Sequence, residues 1–87
     1  MCPSGGTRIA LIGIIVENQD ATDQINALLH ACAAYIVGRM GVPYRQKDVC
    51  IISVVMDAPG DVISALAGRL GNLSGVSVKT VYAPSAK

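Results

Sequence analysis

Two stretches of the chain, residues 8–17 and 49–57, are apolar on both of the faces that a β-strand presents. Strand side chains alternate with period two, so Ile9, Leu11 and Ile15 point one way and Ala10, Ile12, Ile14 and Val16 the other. The second stretch repeats this, with Val49, Ile51 and Val55 against Cys50, Ile52, Val54 and Met56. Strands of this kind need cover on both sides. The rest of the chain has room for two helices, which cover one face of a small sheet, so the other face calls for a second copy or another partner. If about six large side chains each forgo roughly 1.5 to 3 kcal/mol of burial, about 9 to 18 kcal/mol is at stake. That rivals the whole stability of a typical domain, about 5 to 15 kcal/mol. The expectation is a homo-oligomer, dimer or tetramer, formed through the sheet, with Ile12, Ile14, Val16, Ile52, Val54 and Met56 assigned to the interface.

The order of elements follows from the pattern between these strands. Residues 17–20, Glu-Asn-Gln-Asp, form a polar cluster with two candidate helix N-caps, Asn18 and Asp20, and Asp23 is placed to favour the positive helix end. Ile25, Leu28, Leu29 and Cys32 then recur at helical spacing as one stripe, while Asp23, Asn26 and His30 can reach water. The alanines from 31 to 34 continue a helix, whereas Tyr35, Ile36 and Val37 prefer a strand, so the boundary is set near Ala34. A second strand over 35–42, weakened by Gly38 and Gly41, and a hairpin loop over 43–48 lead into the third strand. A helix running on to Met40 would nearly abolish that second strand. Residues 57–61 read as a turn into a second helix with a stripe of Val62, Ile63, Leu66, Ala67 and Leu70, ended by Gly71 as a cap. A fourth strand spans 76–83.

The order β-α-β-β-α-β is the split arrangement of the ferredoxin-like fold, an α+β sandwich. Right-handed crossovers place both helices on one face of a four-stranded antiparallel sheet and make the first and third strands its central pair. Those are the two doubly apolar strands. A single domain over 7–83 is expected, with loose ends at 1–6 and 84–87.

Composition excludes several functions. The chain has neither Phe nor Trp, and Tyr35, Tyr44 and Tyr82 are its aromatics, so it lacks the stacked platforms that read nucleic-acid bases. Seven basic and six acidic residues give a net charge of +1 with no basic run, which argues against direct nucleic-acid contact. The apolar runs are too short to span a bilayer as helices, and the first residues lack the charged-then-apolar order of a signal peptide. Three cysteines, Cys2, Cys32 and Cys50, fit reduced thiols better than a disulfide framework. A cytoplasmic protein is expected.

Residues 39–45, Arg-Met-Gly-Val-Pro-Tyr-Arg, resemble the small regulators of the iron-only hydrogenase system, as do 63–71, Ile-Ser-Ala-Leu-Ala-Gly-Arg-Leu-Gly, and 75–80, Gly-Val-Ser-Val-Lys-Thr. The resemblance runs from about Arg8 to Val81. It implies an ACT-like fold, related to the C-terminal domain of the nickel-responsive repressor, and an oligomeric regulator, without a catalytic residue. That repressor's metal site uses spaced histidines and a cysteine, whereas this chain has a single histidine, His30. His30 and Cys32 lie two apart and point about 200° apart on a helix, so they cannot chelate one ion there. No metal and no cofactor is expected.

No Ser-His-Asp or Cys-His set and no cofactor fingerprint occurs, so the chain is expected not to be an enzyme. The polar residues of interest are Arg39, Tyr44, Arg45 and Lys79, since arginine grips a carboxylate or phosphate with two parallel bonds. Charge that protects a sheet edge is the alternative reading of the same residues. ACT-like resemblance places effectors near the first strand-to-helix turn, which adds Glu17, Asn18 and Gln19 as candidates for a small anionic effector. The rival function is a ligand-free oligomerisation scaffold that partners a larger regulator.

Overall fold

The computed structural model describes residues 6–84. Strand β1, Arg8–Val16, is followed by a 3-10 turn, Gln19–Ala21, and helix α1, Thr22–Ala31. A second 3-10 turn, Ala33–Tyr35, leads to β2, Ile36–Tyr44, and a third, Arg45–Lys47, to β3, Val49–Ala58. Helix α2, Gly60–Gly71, and strand β4, Val76–Tyr82, complete the order. The strands form one antiparallel sheet in the order β2-β3-β1-β4, with both doubly apolar strands in the middle. The ferredoxin-like architecture expected from the sequence is the one observed.

Both helices pack on the face that carries the even-numbered side chains of β1. Ala10, Ile12, Ile14 and Val16 from β1 meet Ile52, Val54, Met56 and Ala58 from β3, under Ile25 and Leu29 of α1 and Ile63, Leu66 and Leu70 of α2. All are buried. This corrects the assignment of the interface residues: Ile12, Ile14, Val16, Ile52, Val54 and Met56 are the core beneath the helices and are not available to a partner. Period two separates the faces of a strand without saying which face the crossovers cover. The unhelixed face belongs to Ile9, Leu11, Ile15, Ile51 and Val55.

Local chemistry shifts several boundaries. Asn18 caps the 3-10 turn, its Oδ1 accepting from the Asp20 backbone N–H at 3.1 Å, while Ala21, the N-cap of α1, offers no side-chain cap. Of the two candidate caps Asn18 is the one used, and it caps the 3-10 turn that precedes α1. Helix α1 stops at Ala31, short of Ala34, because Cys32 leaves the helical region and the following residues close a 3-10 turn. Strand β2 runs through Pro43 to Tyr44, two residues beyond expectation. Proline is tolerated there because β2 pairs only with β3 and its free side is an edge. Gly71 ends α2 within the helix, and Asn72 is the C-cap. Gly75 instead carries the left-handed turn, with φ of 75°. A Cβ at Gly75 would stand 2.5 Å from the Asn18 Cβ, so glycine is required on two counts.

Candidate functional site

Two surfaces come out of this arrangement: a cleft at one end of the sheet and the open outer face. The cleft forms where the turn after β1 approaches the β2–β3 hairpin. The Glu17 N–H donates to the Gly75 carbonyl at 2.8 Å, and the Asn18 Nδ2 donates to the Ser74 carbonyl at 3.3 Å, so the β1–α1 turn is anchored to the start of β4. The hairpin is tightened by its 3-10 turn and by Asp48 at φ 56°, and the Tyr44 hydroxyl donates to Gln46 Oε1 at 2.8 Å. Between them lies a cavity of about 350 Å³, with a floor of Val16, Pro43, Val49 and Cys50 and polar walls from Gln19, Thr22, Tyr44, Arg45 and Asp48.

Gln19, Tyr44 and Arg45 are thus brought together at one cleft, and Glu17 and Asn18 lie in the turn that frames it. Arg39 and Lys79 are not part of it. Arg39 extends from β2 on the helix side, and its Nη2 donates to Asn26 Oδ1 at 3.1 Å. It lines a separate groove of about 580 Å³ between α1 and β2, with His30, Leu29 and Ile36. Lys79 lies on β4 opposite Gly13 of β1, on the outer face. The two residues occupy opposite edges and opposite faces of the sheet. Thr22, Asp48 and Cys50 are cleft residues that sequence reasoning missed. Cys50 could have been found from register, since it pairs opposite Val16 beside the β1 turn.

The outer face is the larger feature. Ile9, Leu11 and Ile15 of β1, Met40 and Val42 of β2, Ile51 of β3 and Val81 of β4 are each between 40% and 63% exposed. They form one apolar surface across all four strands, broken by Ser53, Ser77, Asp57 and Lys79. Cys32 and Cys50 are free thiols, both half-buried at the rim of the core; Cys2 lies outside the described residues. Among the described residues, no group of three or more His, Cys, Asp or Glu is placed to hold a metal ion, and no helix is long and apolar enough to cross a membrane.

A sheet with two helices on one face, an open apolar second face and a polar cleft at the β1–α1 end defines a small ferredoxin-like module of the ACT-like kind. The family model TM1266-like, described as "Iron-only hydrogenase system regulator, putative", matches residues 8–80. The chain belongs to that family. Its fold superposes on the uncharacterized protein TM1266 from Thermotoga maritima with a TM-score of 0.86 and 39% identity, covering 90% of this chain and 99% of that one. The C-terminal domain of the MgtC protein from Mycobacterium tuberculosis shares the fold at 16% identity, with a TM-score of 0.71 and 94% of each chain covered. A formyltetrahydrofolate deformylase from Pseudomonas putida KT2440 contains the same fold at 18% identity and a TM-score of 0.62, over 87% of this chain and 29% of that one. No curated protein matches the chain.

Proposed function

We propose that the chain is a non-catalytic regulatory module of the iron-only hydrogenase system that acts as a homo-oligomer, a second copy covering the outer face of its sheet. The observation that carries this is the apolar outer face, open in the single chain while the other face is filled by both helices. An exposed apolar patch of this breadth marks an interaction surface. Its size suits a second copy. Four strands about 4.8 Å apart and roughly 30 Å of β1 give a projected face of about 570 Å², and side-chain relief raises the accessible area toward the ~800 Å² per partner of a standard interface. Among the described strand residues the face bears one cation, Lys79, and one anion, Asp57, on different strands, so two copies meet without a block of like charge.

The cleft supplies the regulatory input in this reading. Arg45 offers a guanidinium fork, Gln19 and Thr22 offer polar groups, and Val16 and Val49 form an apolar floor, which suits a small anion with an apolar body. Binding there shifts assembly to the extent that the ligand prefers one arrangement of subunits.

The test is light scattering on the purified chain and on the double variant Leu11→Asp, Ile51→Asp. A multiple of the 9.0 kDa chain mass that the variant reduces to one copy is expected. An unmodified chain that stays single refutes the proposal. A thermal-shift series with inorganic phosphate, glutamate and adenosine monophosphate at up to millimolar concentration tests the cleft. No stabilisation by any of them favours the ligand-free scaffold.

A further inference from the structure

Gly13 stands in the middle of β1, a central strand of the sheet, on its outer face, and nothing among the described residues explains why it is glycine. Its φ is not positive, Gly75 being the glycine of that kind among the described residues. Strand register runs unbroken through it on both sides, to Ser53 of β3 and to Lys79 of β4, so it marks no bulge. A Cβ built on it would meet only the Lys79 carbonyl oxygen, at 3.9 Å, an ordinary contact. Glycine in a strand interior weakens the strand and leaves no side chain to pack. Among the described residues, none packs into the space immediately above Gly13.

That space has a definite shape. Leu11 and Ile15 flank Gly13 on the same face of β1, each about 6.8 Å along the strand. Leu11 pairs with Val55, and Ile15 with Ile51, so two aliphatic ridges cross the sheet on either side of a notch floored by Gly13 and Ser53. The gap between the ridges is bounded along the sheet by Met40 of β2 beside Ser53 and by Lys79 of β4 beside Gly13.

We infer that the notch over Gly13 and Ser53 receives an aliphatic side chain from β1 of a second copy, which fixes the register of the two sheets. This rests on the self-assembly proposed above and adds to it the contact that sets the geometry. In a two-fold interface the same surface serves both copies, so each notch is filled by a ridge of its partner. Sheets packed face to face interdigitate their side chains in this way at about 10 Å separation.

The consequence is a sign that apolarity alone would not produce. Gly13→Val adds a β-branched apolar group to an apolar face, which ordinarily promotes association. Here it fills the notch and pushes the partner's ridge away. Sedimentation equilibrium on the full chain is expected to show its dissociation constant raised about tenfold or more, by overpacking at both notches. Gly13→Ala is expected to fall between the two. Ser77→Val, which adds the same kind of bulk on the outer face beside Ile15 but outside the notch, is expected to leave association unchanged or tighter. Far-ultraviolet circular dichroism of each variant should match the unmodified chain, because a Cβ at Gly13 makes only an ordinary contact, with the Lys79 carbonyl oxygen, among the described residues. Association of Gly13→Val that is equal to or tighter than that of the unmodified chain overturns the notch while leaving the assembly standing. An unmodified chain that does not associate at all overturns both.

Discussion

Ile14 and Ile15 are adjacent, chemically identical and assigned to opposite jobs, so replacing each by alanine separates the core from the proposed interface. Ile14 is 0% exposed, enclosed between the sheet and the helices, whereas Ile15 is 44% exposed on the open face. Truncating a buried isoleucine removes its transfer free energy and leaves a cavity, so Ile14→Ala should cost about 3 kcal/mol of folding stability. In a domain of this size that lowers the melting temperature by roughly 12 to 24 °C. Ile15→Ala should cost the single chain about 1 kcal/mol, since much of the side chain is already wet. Its larger effect falls on association. Ile15 leaves on the order of 80 Å² for a partner to bury, worth about 2 kcal/mol, of which alanine retains about half. Two copies then lose about 2 kcal/mol, roughly a thirtyfold weaker dimer. Urea denaturation and sedimentation equilibrium on both variants read the two quantities separately. If Ile15→Ala lowers folding stability more than Ile14→Ala, or if association is unmoved by it, the assignment of the faces is refuted.

Three further outcomes follow from particular contacts. Gly75→Ala should destabilise the chain by about 2 to 4 kcal/mol in thermal denaturation, because a left-handed alanine costs about 1 to 2 kcal/mol and its Cβ also collides with Asn18. Asn18→Ala removes the acceptor for the Asp20 N–H and the donor to the Ser74 carbonyl, and a loss of about 1 kcal/mol is expected from urea titration. Arg45→Met should abolish any thermal stabilisation by phosphate or glutamate while moving the melting temperature of the free protein by only a few degrees, since Arg45 sits on an exposed turn; Arg39→Met, in the separate groove, should leave that stabilisation intact.

The fold was legible because two independent signals agreed: the element order required central first and third strands, and those were the strands apolar on both faces. The choice of face was not legible, since alternation in β1 places Ile14 and Ile15 apart without stating which one the crossovers cover. Boundaries moved where tertiary context outweighed local preference. Pro43 entered β2 because that strand is an edge, and Asn18 capped a 3-10 turn that the sequence does not announce. The cleft was half visible. Gln19, Tyr44 and Arg45 stood out as polar residues near turns, but Thr22 and Asp48 became neighbours only when the hairpin folded back beside the start of α1. Lys79 and Arg39 read alike in sequence and lie on opposite faces, because each belongs to a different edge strand with a different parity.

The most direct measurement is sedimentation equilibrium of the unmodified chain from about 1 to 100 µM. A mass at a whole-number multiple of 9.0 kDa, two or greater, is expected throughout most of that range. A mass of one chain at every concentration, with the face of Leu11, Ile15 and Ile51 left in water, contradicts the claim that a second copy covers it.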